Sequence, residues 1–264
     1  MANFNPNIIL ETKDLEIGYT KRNEQTVIAS QINISLDKGE LVGLVGANGI
    51  GKSTLLRTLT KVQPQLHGDI LLNRTSLMDY GAMELARSLS IVLTEPIVSK
   101  NLTVTELVAL GRQPYTNWIG NLSQNDQNKI DNAIILTNIE AFKHKKCYEL
   151  SDGQLQKAMI ARALAQDTNL IILDEPTTHL DMYHKAYVLL LLKKLASETK
   201  KSILFSSHEI DLAIQLCDKM IVMSDDKVEI ATPEEHIEQG NFNALFPEDM
   251  VEFDSQTKAF RIKK

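Results

Sequence analysis

The sequence predicts an α/β fold, with a largely parallel sheet flanked by helices and a helical segment inserted into it. Three observations carry that prediction. Apolar runs of strand length alternate with helical patterns over much of the 264 residues, the signature of strands joined by crossover helices. The run "LVGLVG" (41–46) passes through glycines directly into the helical pattern "KSTLLRTLTKV". Finally, roughly 96–165 holds "VTELVAL", "QNDQNKIDNAIILTNI" and "QLQKAMIARALA". All three are helical patterns, and no convincing strand separates them.

Taken in order, 41–46 reads as a buried strand. The helix after it carries apolar residues at Leu55, Leu56, Leu59 and Val62. "NLIILD" (169–174) reads as a second buried strand and "SILFSS" (202–207) as a third. "DKMIVMSDDKVEIA" reads as a hairpin turning at Asp225-Asp226. Thr232 is the expected cap of the next helix, with Pro233 at its first position and Glu235 completing a capping box. Residues 240–264 carry no readable motif and are expected to add a small element at the edge of the core.

The composition narrows the class. Hydrophobic residues at 43% and charged residues at 23% are ordinary for a globular protein. A net charge of −6 argues against a basic nucleic-acid-binding surface. The one tight basic cluster, Lys143-His144-Lys145-Lys146, reads as a solvated face. Cys147 and Cys217 lack metal or redox spacing, which fits a reducing compartment. The N-terminus lacks the pattern of a secretory signal, and no apolar run approaches a membrane span. A role at a membrane would therefore come through a partner.

"GANGIGKST" fits G-x-x-x-x-G-K-[ST] between Gly46 and Ser53, and five of the twelve glycines fall between 39 and 51. The pattern suits polyphosphate. Glycines let successive N–H groups of Gly46, Ala47, Asn48, Gly49, Ile50 and Gly51 wrap an anion. The helix opening at Lys52, Ser53 and Thr54 aims its N-terminus at the same anion. Lys52 can reach the β- and γ-phosphates, and the Ser53 hydroxyl can ligate Mg²⁺. In "LIILDEP", Asp174 ends a buried strand and can hold the metal's water shell. The adjacent Glu175 can position or deprotonate water. His208, in "FSSHE", follows the third strand, where strand ends converge on ligands. The other five histidines have no such placement.

"GANGIGKST", "LSDGQ", "LIILDEP", "HLD" and "SSHE", in this order and spacing, resemble the ATP-binding cassette family. The likeness is to the nucleotide-hydrolysing subunit of a membrane transporter and extends from about Leu10 to about Gln239. It implies a P-loop RecA-like core (1–95 and 166–239), an N-terminal antiparallel β element, and a helical subdomain (96–165) bearing the signature, with 240–264 as a C-terminal extension. ATP and Mg²⁺ are the implied cofactors, with Glu175, His208 and Lys52 catalytic. The resemblance also implies a head-to-tail homodimer sandwiching two nucleotides. Tyr19 would stack on adenine, and Asp181 would link the two sites across the interface. Ser151, Asp152, Gly153 and Gln154 would face the nucleotide of the other subunit.

The residues themselves make that last role plausible. Ser151 and Gln154 form a capping box, and the helix start supplies partial positive charge without a cationic side chain. Leu155, Met159 and Ala163 share one face of this helix, Gln156 and Lys157 are expected outward, and Gly153 keeps the end open. The family usually has glycine where Asp152 stands. Asp152 suits the helix dipole, and its side chain is expected to point away from the phosphate. The family also has a metal-binding glutamine where this chain offers Thr94 or Glu95. Both remain open as ligands, Glu95 being the stronger.

"NLTVTELVALGRQPY" (101–115) resembles the subfamily that imports iron–siderophore complexes, haem and vitamin B12. That likeness implies integral-membrane permease subunits, docked near 94–118, and an external substrate-binding protein. It also implies a peripheral position on the cytoplasmic face of the cell membrane. The competing readings are a cassette for another cargo, a soluble non-transport cassette ATPase, and a regulatory subunit that binds nucleotide without hydrolysing it.

Overall fold

A computed structural model describes residues 7–22, 24–93, 100–225, 227–246 and 250–263. In chain order its elements begin with strands β1 (Ile8–Lys21), β2 (Glu24–Ile32), β3 (Ser35–Asp37) and β4 (Leu41–Gly46). Helix α1 (Lys52–Leu59), β5 (His67–Leu72), β6 (Thr75–Ser76), α2 (Ala82–Ser88) and β7 (Leu89–Val92) follow. Then come α3 (Val104–Ala109), α4 (Gln124–Leu136), α5 (Asp152–Ala165), β8 (Leu170–Leu173), α6 (Met182–Thr199) and β9 (Ser202–Ser206). The chain continues with α7 (Ile210–Leu216), β10 (Lys219–Met223), β11 (Val228–Ala231), α8 (Pro233–Glu238), β12 (Val251–Asp254) and β13 (Ala259–Ile262).

The main sheet runs β11-β10-β4-β9-β8-β7, parallel except for the β10–β11 hairpin. Its strands read as continuous apolar runs because both faces are covered. Leu41 and Val45 of β4, Ile171 and Leu173 of β8, and Phe205 of β9 pack with the helices. Val42, Leu44, Leu170, Ile172 and Leu204 alternate to the other face and meet α1 and the N-terminal sheet. That sheet is antiparallel, with β1 at its centre between β2 and β5. Truncating such a fully buried leucine to alanine typically costs about 2–5 kcal/mol.

Between 100 and 165 the chain carries α3, α4 and α5 and no strand, with an isolated bridge from Thr103 to Lys146. Here Gly111 and Arg112 face inward. A Cβ on Gly111 would lie 2.2 Å from the Arg162 carbonyl oxygen, so glycine is required for α5 to approach. Arg112 is buried, donating to Asp126 at 2.9 Å and to the Ala165 carbonyl at 2.8 Å. Its guanidinium lies 3.9 Å from the Tyr115 ring centroid.

Two expectations are corrected. Val62 is not part of α1, which stops at Leu59; Lys61 adopts a left-handed φ of 59°, and Val62 is exposed. In α5, Leu155, Met159 and Ala163 pack into one core as expected, but burial extends further round the helix and takes in Gln156. Ala158, Met159, Ile160, Ala161, Ala163, Leu164 and Ala165 are all buried, and the Gln156 Nε2 is buried rather than turned to solvent. Lys157 instead lies over the Tyr187 ring, 3.7 Å from its centroid. The Thr232 cap, with Pro233 and Glu235, stands as expected. Beyond it, β12 and β13 form a hairpin whose Phe253 and Phe260 stack near Phe242 and Phe246. Among the described residues, no helix is long and apolar enough to cross a membrane.

Candidate functional site

The parallel strands β4, β8 and β9 end side by side, with Leu44 opposite Ser206 and Leu173 opposite Phe205. This register places three loops on one edge: the glycine loop after β4, Asp174-Glu175 after β8, and Ser207-His208 after β9. Together with Tyr19 and Ile28 from β1 and β2 they line an open cavity of about 470 Å³. The lining includes Asn48, Gly49, Gly51, Lys52, Ser53, Thr54, Glu175 and His208.

The loop backbone explains its glycines. Gly51 has φ 112°, a conformation that side chains rarely adopt, and a Cβ there would lie 2.5 Å from Ile28 Cγ2. Gly51 caps α1 without any side-chain hydrogen bond, and the first turn of α1 holds no acidic residue. The end of this helix is thus open to an anion. The Lys52 ammonium curls over the loop and donates to the carbonyls of Gly46 (2.9 Å) and Ala47 (3.0 Å). Burial lowers its pKa, against the opposing pull of Glu175 and Asp174.

The carboxylates are held by groups that the motifs do not name. Ser206 Oγ donates to Asp174 Oδ1 at 2.7 Å and accepts from the Glu175 N–H at 2.8 Å. Thr178 donates to Glu175 Oε2 at 3.0 Å. Glu175 itself sits at φ 48°, left-handed backbone that is uncommon for a non-glycine residue. Its Oε1 lies 2.7 Å from His208 Nε2. Ser53 Oγ donates to Asp174 Oδ1 at 3.1 Å. This pair of oxygen donors suits Mg²⁺, which takes one or two protein ligands and leaves the rest to phosphate and water. Tyr19, 47% exposed, bonds Thr54 Oγ1 through its hydroxyl at 2.6 Å.

Other expected site residues lie apart from this cavity. Ser151, Asp152, Gly153 and Gln154 open α5 and are absent from the cavity lining. The capping box is present: Gln154 N donates to Ser151 Oγ at 3.3 Å, and Ser151 N donates to Gln154 Oε1 at 3.2 Å. Asp152 is exposed. Asp181 caps α6 and is also absent from the lining. Thr94 and Glu95 lie outside the described residues. Ile28, Thr178 and Ser206 escaped sequence reasoning. Ser206 sits in the "SILFSS" run, where a serine at a buried strand end was the one available signal.

A family model described as ABC transporter matches residues 29–178, which hold the glycine loop, the signature and the paired carboxylates. The chain belongs to the ATP-binding cassette transporter family. It is 40% identical over 220 residues to an uncharacterised ABC transporter ATP-binding protein of Methanocaldococcus jannaschii, covering 83% of this chain and 74% of the relative. It is 37% identical to the petrobactin import ATP-binding protein FpuD of Bacillus anthracis, over 87% of this chain and 83% of that one. A dimeric ATP-binding cassette in a post-hydrolysis state, bound to ADP and Pi, superposes with a TM-score of 0.72 at 26% identity. That match covers 85% of this chain and 99% of the other. The cassette described here is an ATP-binding, ATP-hydrolysing subunit with the family's α/β fold.

Proposed function

We propose that this cassette powers import of iron–siderophore complexes, with haem and vitamin B12 as related cargoes. The relative named for petrobactin import supports the cargo class, together with the "GRQPY" segment that the subfamily resemblance rests on. In this reading residues 1–95 and 166–239 form the nucleotide-binding core. Residues 96–165 form the helical subdomain, and 240–264 form an extension. Two copies close head to tail on two ATP molecules. They dock on integral-membrane permease subunits at the cytoplasmic face, supplied from outside by a substrate-binding protein.

One observation carries the chemistry: Glu175 and His208 meet at 2.7 Å at the mouth of the glycine-loop cavity. Glu175 takes a proton from water as that water's oxygen attacks the γ-phosphorus, and the bond to the ADP leaving oxygen breaks. His208 gives up its bond to Glu175 to hold the γ-phosphate and orient the water. Lys52 leaves the loop carbonyls for the β- and γ-phosphate oxygens. Tyr19 stacks on adenine. The partner's Ser151 and the backbone at the partner's Gly153 add hydrogen bonds to the same γ-phosphate, while its Asp152 side chain stays in solvent. Ser53 and Asp174 would hold Mg²⁺, with Glu95 or Thr94 contributing a further oxygen. When bound there, Mg²⁺ would supply positive charge to the transferring phosphoryl group.

Removing a general base typically costs about 10²–10⁴ in rate. Glu175→Gln is expected to keep ATP binding, accumulate a closed dimer and lose most turnover. Full turnover in that variant refutes the assignment of Glu175. The cargo is tested by co-purifying the membrane-bound complex, identifying its permease, and assaying ATP-driven uptake of ferric siderophores, haem and cobalamin. Uptake of none of the three refutes the cargo reading.

A further inference from the structure

His184, which no motif names, stands between the two segments expected to meet the partner cassette. Asp181 caps α6 by accepting from the His184 N–H at 2.8 Å. That bond satisfies one of the free N–H groups at the helix start. The His184 ring goes further: its Nδ1 lies 2.9 Å from both Asp181 carboxylate oxygens. These contacts to His184 hold the Asp181 carboxyl below its usual range.

The opposite side of the same ring lies on the signature. A Cβ built on Gly153 would be 2.8 Å from His184 Cδ2 and 3.4 Å from Cγ. The ring is tethered by Asp181 on one side and met edge-on by Tyr183 at 5.4 Å between centroids. Gly153 is not in the left-handed region, so backbone conformation does not require glycine there. Gly153 is buried, and the ring occupies the space that a side chain there would need.

We propose that His184 is a positioning residue that binds Asp181 and the signature glycine Gly153 into one mechanical unit. Displacement of Asp181 by the partner moves the ring, and the ring moves the start of α5, where the partner's nucleotide is held. The occupancy of one site is thereby transmitted to the signature that serves it. The inference rests on the head-to-tail dimer proposed above.

The test measures ATP hydrolysis by the full chain against ATP concentration, for wild type, H184A, H184N, G153A and the double variant G153A/H184A. Thermal midpoint and binding of a fluorescent ATP analogue are measured alongside. H184A is expected to lose cooperativity in ATP, an inter-site coupling ordinarily about 5–150-fold in affinity, and to turn over more slowly than wild type. Its midpoint and analogue affinity should stay close to wild type. In H184N the amide nitrogen replaces Nδ1 on Asp181, and cooperativity should return. G153A should be impaired by its contact with the ring. The double variant should be no slower than G153A alone, because the clash leaves with the ring.

Wild-type cooperativity and kcat in H184A would overturn the proposal. Equal impairment of H184A and H184N, or multiplying losses in the double variant, would also overturn it. Non-cooperative hydrolysis by the wild-type chain would overturn the dimer reading itself, and this inference with it.

Discussion

Ser206→Ala removes one oxygen that holds two carboxylate-bearing residues. Ser206 is fully buried; its hydroxyl donates to Asp174 at 2.7 Å and accepts from the Glu175 N–H at 2.8 Å. A hydrogen bond to a charged group contributes about 1.5–3 kcal/mol, and a buried donor left unpaired costs about 1–3 kcal/mol. The combined expectation is a loss of about 3–5 kcal/mol in unfolding free energy. For a domain of this size that corresponds to a fall in Tm of roughly 10 °C. The chemistry should suffer independently, because Glu175 sits at φ 48° and its N–H bond to Ser206 helps hold it there. Small misplacements of catalytic groups cost about 10²-fold. Urea unfolding would give the first number, and single-turnover ATP hydrolysis below the new melting point the second. If Ser206→Ala loses under about 1 kcal/mol and turns over within about threefold of wild type, the hydroxyl is not holding the site, and this account of the two carboxylates is wrong.

Four further outcomes are expected. Gly111→Ala forces a Cβ to 2.2 Å from the Arg162 carbonyl oxygen and should cost about 2–3 kcal/mol in urea unfolding, since backbone on both sides cannot yield. Asp126→Asn strips buried Arg112 of its carboxylate and should cost about 3–5 kcal/mol at neutral pH. The Asp126 carboxyl is held below its ordinary pKa first by the Ser123 hydroxyl, with Arg112 helping and burial opposing. A depressed carboxylate stabilises the fold above its unfolded pKa, and that stability is lost as pH falls through the native value. An acid titration of stability should therefore show a component in wild type that Asp126→Asn lacks. Tyr19→Phe loses only the hydroxyl bond to Thr54 and should change the KM for ATP little; Tyr19→Ala should raise it about tenfold, since base stacking contributes about 1–3 kcal/mol. Asp152→Gly should leave ATP-driven dimerisation nearly unchanged, because the residue is exposed at the helix start; a tenfold rise would show that its carboxylate opposes closure.

Features built from neighbours in sequence were legible without the fold. The capping boxes at Ser151–Gln154 and Thr232–Glu235 need only residues three apart, and both are present. The strands at 41–46, 170–173 and 202–206 were visible as apolar runs because the sheet is covered on both faces. The glycine loop announced itself because an anion cradle needs glycine at fixed spacing. The exact end of α1 was not legible: the leucine spacing continues to Val62, but the chain turns left-handed at Lys61. The apolar face of α5 at Leu155, Met159 and Ala163 was legible, but the burial of Gln156 was not, because the helix's small residues admit neighbours on several sides.

The sequence by itself determined the class of this protein, an ATP-hydrolysing cassette, because its chemistry is carried by short motifs whose residues act within one turn or one loop. Only the tertiary structure decided which groups hold those motifs in place. Ser206 is over thirty residues from Asp174, and Thr54 is as far again from the Tyr19 that it bonds. His184 binds Asp181 and fills the space that a side chain at Gly153 would need, although its sequence environment marks it as an ordinary helical residue. Such pairings depend on strand register and helix approach. These are set by packing across the whole core, and no local pattern encodes them.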